Sequence, residues 1–152
     1  MIPKAFFVTG GKAVSKASRL NTFDLALRNA GIAQCNLVKV SSIIPPNCKE
    51  TKIKPIPAGT ITYAVISKAE GTGETISTGL AWAVEKKGSY GVVAEAYGIM
   101  NQATTKKKLK NRINEMAKIR GIELSEVKYR IETLDVPEDS YGCVVAVLIY
   151  LP

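Results

Sequence analysis

The sequence predicts a single α+β domain in which helices and sheets form packed layers. Its 152 residues are the usual size of one domain, and 46% of them are hydrophobic, which is enough to build a folded core. Two segments have the apolar periodicity of helices, and several others have the apolar, β-branched character of strands. No internal repeat, low-complexity segment or linker divides the chain. We therefore expect residues 1–152 to fold as one unit.

The first two predicted elements are a strand and a helix. Residues Ala5–Thr9 are apolar and β-prone, and the glycine pair 10–11 is expected to end this strand, with a loop after it. The helix is expected to begin with Asn21 or Thr22 as its N-cap and to end at Gly31 in the left-handed conformation. Apolar residues between these limits recur at helical spacing and predict one buried face.

Six further strands and one long helix complete the predicted order. The strands are expected at residues 36–40, 60–68, 75–84, 90–97, 127–136 and 142–151. The helix is expected over 104–120 and to end at Gly121. Pro45 and Pro46 cannot donate ladder hydrogen bonds, so the strand at 36–40 should stop before them. The last strand is almost wholly apolar, which indicates burial on both faces.

The basic charge of the chain is concentrated in one segment. The formal charge is +8, from 21 Lys and Arg against 13 Asp and Glu, and such a balance admits nucleic acid or acidic lipid as a partner. The densest basic run, Lys106–Arg112, falls on the long predicted helix, and we interpret it as a solvated helix face. No aromatic residue interleaves with the run, as stacking on single strands would require. We therefore expect no nucleic-acid partner.

Neither a membrane span nor a cleavable leader is expected. No stretch of about 18 apolar residues occurs, and the segment from Met1 to Thr9 lacks the apolar region and cleavage site of a leader. The three cysteines, Cys35, Cys48 and Cys143, have an irregular spacing that fits neither a disulfide framework nor a zinc site. Free thiols fit a reducing compartment, so we expect a cytoplasmic protein.

The absence of histidine restricts the chemistry that the chain can perform. It excludes Ser-His-Asp and Cys-His catalysis within the chain, and it removes the commonest metal ligand and the usual base at neutral pH. The sequence also lacks the glycine-rich phosphate loop and the dinucleotide fingerprint. We expect no bound metal, and any catalysis must use carboxylates, Lys, Tyr, Ser or Cys.

The segment 36–46 contains two adjacent serines, Ser41 and Ser42. From the residues alone, this segment is a strand that runs into a proline turn, with the serines as polar filler. The flanking pattern, however, resembles the pyruvoyl-dependent arginine decarboxylases. The matching segments are 21–24, 29–32, 36–37, 40–46, 73–77, 91–95 with Gly98, 115–117 and 142–143. The chain departs from the family pattern at 33–34, which are Ala-Gln, and at Tyr97, where the family often has an acidic residue.

The resemblance implies that the chain is a precursor that cuts itself between Ser41 and Ser42. The hydroxyl of Ser42 would attack the carbonyl of Ser41, and the side-chain amide of Asn36 would stabilise the oxyanion. Elimination would then leave a β chain of residues 1–41 and an α chain of residues 42–152. Residue 42 would become a covalent pyruvoyl group, which acts as the electrophile and electron sink in decarboxylation.

The resemblance also assigns residues to the substrate. Glu95 would return a proton to the α-carbon after carbon dioxide leaves, and desolvation at its apolar strand would raise its pKa for that role. Asp24 would bind the guanidinium group of arginine, because a carboxylate matches its planar fork. Leu27 and Ile43 would line the aliphatic part of the substrate. Without the family, Glu95 reads as a salt-bridged residue at a sheet edge, Asp24 as a residue that offsets the helix dipole, and Leu27 as plain core.

The resemblance finally implies a fold, an assembly and a reaction. The family fold is a four-layer αββα sandwich, and its members form trimers of αβ units with active sites between neighbours. We accordingly expect two helices to cover the outer faces of two stacked sheets. The expected reaction is the decarboxylation of L-arginine to agmatine and carbon dioxide. Two alternatives are pyruvoyl chemistry on another amino acid, such as histidine, ornithine or lysine, and a basic nucleic-acid-binding protein that uses the long helix.

Overall fold

The computed structural model describes every residue from 1 to 152 and contains two helices and nine strands. The helices are α1 (Arg19–Asn29) and α2 (Gln102–Arg120). The strands are β1 (Ala5–Ser15), β2 (Asn36–Lys39), β3 (Ile43–Ile44), β4 (Lys49–Glu50), β5 (Ile61–Gly71), β6 (Thr75–Val84), β7 (Gly91–Ile99), β8 (Lys128–Asp135) and β9 (Tyr141–Leu151).

The strands form two sheets, and each sheet carries one helix. The five-stranded sheet has the order β2-β5-β9-β1-β4, and the four-stranded sheet has the order β3-β7-β6-β8. Helix α1 packs on β1 and β9 of the first sheet, whereas α2 packs on β6, β7 and β8 of the second. The two sheets face each other, since both β5 and β9 contact β6. The layers are therefore α1, the five-stranded sheet, the four-stranded sheet and α2, which confirms the predicted αββα sandwich.

Strand β9 lies at the centre of the five-stranded sheet and is buried on both faces. It pairs antiparallel with β1 along residues 5–15 and with β5 along residues 64–71. Odd-numbered side chains over 143–149 pack toward α1, and even-numbered side chains over 146–150 pack toward the other sheet. The alternation follows from the two-residue period of a strand. The predicted burial of both faces of the last strand is confirmed.

Strand β1 runs to Ser15, so the prediction that Gly10 and Gly11 end it is wrong. Both glycines lie inside the strand, at points where neighbouring layers come close to the backbone of β1. A Cβ atom on Gly11 would lie 2.2 Å from the carbonyl oxygen of Ala26 in α1. A Cβ atom on Gly10 would lie 2.8 Å from Nε of Arg130 in β8. Backbone packing of α1 thus requires a glycine at Gly11, whereas a side chain at Gly10 would have to displace the side chains of Arg130 and Glu132.

Helix α1 begins earlier than predicted. Its N-cap is Ser18, whose hydroxyl accepts a hydrogen bond of 3.1 Å from the backbone N–H of Asn21. Asn21 and Thr22 therefore lie within the helix, and Asp24 lies past its first turn. The interpretation of Asp24 as a residue that offsets the helix dipole is consequently wrong. The predicted end is confirmed, since Gly31 follows the helix with a φ of 82°.

The other elements match the prediction apart from two short strands. β3 and β4 lie where we expected a strand end before the prolines and a loop after them. The chain leaves the five-stranded sheet after β2 and joins the four-stranded sheet at β3, where residues 43–44 pair with 91–92 of β7. Strands this short have no periodicity to recognise in a sequence. The crossing between the two sheets therefore falls on Ser41 and Ser42.

The cysteines form no disulfide and belong to no metal cluster. All three are free thiols, and Cys48 and Cys143 are buried. Burial raises the pKa of the Cys143 thiol to about 12, so this sulfur is protonated and unreactive at neutral pH. No three His, Cys, Asp or Glu side chains are arranged to hold a metal ion. Neither helix combines the length and the apolar character that crossing a bilayer requires.

Candidate active site

The peptide bond between Ser41 and Ser42 is held from both ends by different sheets. The N–H of Val40 donates to the carbonyl of Ala64 in β5 over 2.9 Å. The carbonyl of Ser42 accepts from the N–H of Val93 in β7, also over 2.9 Å. Between these bonds Ser41 is exposed and makes no backbone hydrogen bond. The peptide group between the serines is therefore free of both ladders while its flanks are fixed.

Ser42 opens on a cavity of about 380 Å³ between β7 and α2. Glu95 of β7 and Arg112 and Glu115 of α2 provide the charged groups of this cavity. Its remaining wall is formed by Val93, Ala94, Tyr97, Met116 and Ile119. The structure thus brings together two of the residues predicted to be catalytic, Ser42 and Glu95.

Glu95 lies beyond the part of β7 that β3 covers, so its backbone faces an open sheet edge. The guanidinium of Arg112 donates to its backbone carbonyl. A second cavity, of about 370 Å³, also opens on Glu95 and is lined by Lys39 of β2 and Lys68 of β5. Burial raises the pKa of the Glu95 carboxyl, and the charges of Lys39 and Arg112 offset part of that rise. The predicted direction of the pKa shift is confirmed, and the carboxyl is not in a salt bridge.

Tyr150 contacts the residue that follows the serine pair. Its phenol donates a hydrogen bond of 2.6 Å to the carbonyl of Ile43, and its ring is buried in the core between the sheets. Tyr150, Ser41 and Ile43 line a further cavity of about 380 Å³. Burial raises the pKa of Tyr150, so the phenol stays protonated and able to donate.

Asn36 lies at the end of β2 away from the serine pair. Its side-chain amide donates to the carbonyl of Gly59 over 2.9 Å, and its backbone N–H donates to the carbonyl of Thr60. Extended chain separates it from Val40 by about 13 Å at the rise of a strand. The amide of Asn36 is therefore out of reach of the Ser41 carbonyl in its own chain.

The predicted substrate-contact residues are only partly gathered around the serine pair. Asp24 is exposed on α1 and lines neither of the cavities that Glu95 lines. Leu27 is buried in the core between α1 and the five-stranded sheet, as its core interpretation predicts. Ile43 is exposed and lines a cavity together with the first of the two serines. Within one chain, the structure brings Ile43 to the serine pair but not Asp24 or Leu27.

Three residues of the site were missed by sequence reasoning: Tyr150, Arg112 and Lys39. Tyr150 had a usable signal, because a tyrosine within an apolar strand needs a partner for its hydroxyl. Arg112 belongs to the basic run that we interpreted as a solvated helix face, and nothing local connects it with Glu95. Lys39 is exposed at the end of β2, and its approach to Glu95 depends on how the two sheets are stacked.

Comparisons with known proteins identify the family of the chain. The family model described as pyruvoyl-dependent arginine decarboxylase matches residues 5–152. The pyruvoyl-dependent arginine decarboxylase of Methanopyrus kandleri is 33% identical over 149 residues, which cover 98% of this chain and 97% of the relative. The enzyme of that name from Thermococcus kodakarensis is 30% identical over 153 residues, covering 99% and 96%. The one from Methanocaldococcus jannaschii is 36% identical over 137 residues, covering 84% and 78%.

These matches make the chain a carboxy-lyase with a covalently bound pyruvoyl group. Because they extend over nearly its whole length, the chain belongs to the pyruvoyl-dependent arginine decarboxylase family. The family resemblance inferred from the sequence is confirmed.

Replacing Lys39 with Met is expected to raise the pKa of Glu95 further, because it removes a positive charge that favours the ionised carboxylate. Carbon NMR of the Glu95 carboxyl during a pH titration would measure this, and the difference from wild type should shrink as salt is added. Lys110→Met, which changes an exposed lysine of α2 outside both cavities, is the control and should leave the midpoint in place. An unchanged or lowered midpoint in Lys39→Met would contradict the assigned electrostatics.

Proposed function

We propose that this chain cuts itself between Ser41 and Ser42 and then decarboxylates L-arginine to agmatine and carbon dioxide. One observation carries the proposal: Ser42, at the crossing between the sheets, and Glu95, with its raised pKa, open on the same cavity of about 380 Å³. Family membership supplies the class of reaction. On this cavity Ser42 would be the precursor of the electrophile and Glu95 the acid, and pyruvoyl-dependent decarboxylation needs both.

In the cleavage step, the hydroxyl oxygen of Ser42 adds to the carbonyl carbon of Ser41, and the amide nitrogen leaves. An ester then replaces the peptide bond. Loss of the α-proton of residue 42 breaks the bond between its Cβ and the ester oxygen, which frees the carboxylate of Ser41. The dehydroalanine left at residue 42 takes up water and releases ammonia, which yields the pyruvoyl ketone. The free peptide group between fixed flanks favours this attack.

The two products of cleavage would stay together as one folded unit. Residues 1–41 contain β1, which lies between β9 and β4, and both of those strands belong to residues 42–152. β1 pairs with β9 along its whole length, Ala5–Ser15, and β2 pairs with β5. Removing β1 would break two ladders and expose the core beneath α1. We therefore propose a domain built from a β chain of 1–41 and an α chain of 42–152.

The surroundings of residue 42 fit a pyruvoyl group. The ketone would supply an electrophile for the α-amine of the substrate and an electron sink at the adjacent carbonyl. That carbonyl accepts from the N–H of Val93 over 2.9 Å, so a fixed donor faces the oxygen on which negative charge grows. Glu95, on the same cavity, would hold the proton that returns to the α-carbon. Burial favours its protonated form nearer to neutral pH.

We propose that a neighbouring copy of the chain completes the site, in a trimer of αβ units. Asp24 is the candidate for the guanidinium group, and Leu27 and Ile43 are candidates for the aliphatic part of arginine. Asp24 and Asn36 are both exposed, and neither lines the Ser42 cavity of its own chain. An exposed carboxylate and an exposed amide that do not line the Ser42 cavity of their own chain are available to the cavity of a neighbouring chain.

The cysteines and the basic helix bear on location and partners. Three free thiols fit a reducing compartment, and we propose that the enzyme works in the cytoplasm. Arg112, the last residue of the basic run on α2, is engaged with the backbone of Glu95. Arg112 thus belongs to the wall of the cavity on which Ser42 opens. This position favours a small-molecule substrate over nucleic acid.

Ser42→Ala is expected to abolish both cleavage and decarboxylation, because it removes the attacking hydroxyl and the atoms that become the ketone. Denaturing mass spectrometry should find two fragments in the wild type, which meet between residues 41 and 42, and one intact chain in the variant. Ser89→Ala, at an exposed serine before β7, should behave as wild type. A wild-type chain that stays intact and releases no carbon dioxide from arginine would refute the proposed function.

Glu95→Gln is expected to leave self-cleavage intact and to lower kcat by about 10²–10⁴, the usual contribution of a general acid. Steady-state kinetics with arginine would measure the loss, after mass spectrometry has verified complete cleavage. Glu138→Gln, at an exposed glutamate away from both Glu95 cavities, is the control. Undiminished turnover in Glu95→Gln would exclude Glu95 as the proton donor.

Mixed assemblies test whether Asn36 acts on a neighbouring chain. Asn36→Ala alone should cleave about 10²–10³ times more slowly, because it lacks the oxyanion donor, and Ser42→Ala alone should not cleave. When the two variants are coexpressed with tags of different mass, the Asn36→Ala chain should be cut, since its neighbour supplies an intact Asn36. If wild-type chains cleave but the Asn36→Ala chain stays intact in the coexpressed mixture, Asn36 does not act on a neighbouring chain.

A further inference from the structure

Tyr150 is a buried phenol whose hydroxyl has a single hydrogen-bond partner. It lies near the end of β9 in the core between the sheets, and only 6% of its surface is exposed. Its hydroxyl donates to the carbonyl of Ile43 over 2.6 Å. A phenylalanine ring would fill the same apolar space, so packing does not account for the hydroxyl. The one polar atom of this side chain is instead directed at the residue after the serine pair.

The bond to Ile43 completes a pair of contacts on the two residues after the proposed cleavage point. The carbonyl of Ser42 accepts from Val93 in the four-stranded sheet, and the carbonyl of Ile43 accepts from Tyr150 in the five-stranded sheet. Successive carbonyls of an extended chain point in opposite directions, so the two donors hold the segment from opposite sides. The peptide unit 42–43 is therefore fixed against the four-stranded sheet and the unit 43–44 against the five-stranded sheet, so that residues 42–44 form one fixed unit.

This fixed unit contrasts with the residue on the other side of the bond. Ser41 is exposed and makes no backbone hydrogen bond. Attack within a chain is fast when the reacting atoms are about 3–3.5 Å apart and aligned. A fixed backbone at residue 42, beside a Ser41 that makes no backbone hydrogen bond, leaves the Ser41 carbonyl free to turn toward the Ser42 hydroxyl.

We propose that Tyr150 is a positioning residue for position 42 and acts through the carbonyl of Ile43. In the precursor, its hydroxyl keeps the Ser42 side chain aimed at the Ser41 carbonyl. In the cleaved enzyme, it keeps the carbonyl of residue 42 against the N–H of Val93. The inference rests on the proposed self-cleavage and decarboxylation. Tyr150 itself makes no hydrogen bond to Ser41 or Ser42.

The variant that tests this is Tyr150→Phe, which keeps the ring and removes the donor. The rate of self-cleavage, followed by denaturing mass spectrometry on freshly purified precursor, is expected to fall by about tenfold or more. In material that has been cleaved, kcat should fall by a similar factor. KM for arginine should change by less than about twofold, because the groups that bind the substrate are untouched.

Two controls and one rescue separate positioning from loss of stability. Leu148→Val lies in the same strand and the same core, and it should lower the melting temperature by a few degrees, as Tyr150→Phe does, without slowing cleavage or turnover. Tyr141→Phe removes a hydroxyl at the start of β9, away from the serine pair, and should behave as wild type. Incorporation of 4-aminophenylalanine at position 150 returns a donor to the same place and should restore cleavage.

Equal losses of cleavage in Tyr150→Phe and Leu148→Val would overturn the inference, and so would wild-type cleavage in Tyr150→Phe. If Tyr150→Phe does not fold, the 4-aminophenylalanine variant decides: a folded chain that cleaves supports the positioning role, and a folded chain that does not cleave overturns it. A wild-type chain that neither cleaves nor decarboxylates arginine rejects the proposed function itself, which is a different result from a normal Tyr150→Phe.

Discussion

The pairing of β9 with both of its neighbours, together with the burial of both its faces, is the constraint on which the rest of the structure depends. β9 lies between β5 and β1, and its side chains alternate between the core under α1 and the core between the sheets. β1 precedes the serine pair and β9 follows it, so the same ladder would hold the two products of cleavage together. β9 also carries Tyr150 to the carbonyl of Ile43. The stability of the fold, the proposed retention of the cleaved segment and the proposed positioning of residue 42 thus depend on the same strand.

The crossing of the chain between the sheets explains the position of the proposed site. A peptide group in the middle of a ladder is held by hydrogen bonds on both sides, but the one between Ser41 and Ser42 has left one sheet and is only beginning to join the other. Beyond this point no strand covers β7, so Glu95 lies at an open sheet edge. Burial raises the pKa of its carboxyl there, and the nearby cations lower it. Burial is the larger effect on this pKa, and the opposing effect comes from Lys39 of β2 and Arg112 of α2.

Local patterns predicted the elements whose signals are long or chemically specific. The apolar run of β9, the helix of α2 and the left-handed Gly31 and Gly121 were all recovered. The errors have different causes: Ser18, not Asn21 or Thr22, caps α1 through a local hydrogen bond, β3 and β4 are too short to show a period, and only the glycine pair was misjudged because of packing between layers. In the sequence Gly10 and Gly11 look like a turn, but in the structure they lie in a strand, next to β8 and α1 respectively. The proposed roles of Ser42 and Glu95 came from the family pattern, whereas Tyr150 was found only from its contact.

By itself, the sequence determined the class of fold and the available chemistry: layered helices and strands, no histidine, and a serine pair in a family-specific setting. These depend on residue identity and on periodicity within a dozen residues. Only the tertiary structure decided that the serine pair lies between two sheets, that Ser42 shares a cavity with Glu95, and that Asn36 lies elsewhere. Those facts follow from strand order and register, which are set by contacts between residues far apart in the chain, and a local pattern does not encode them.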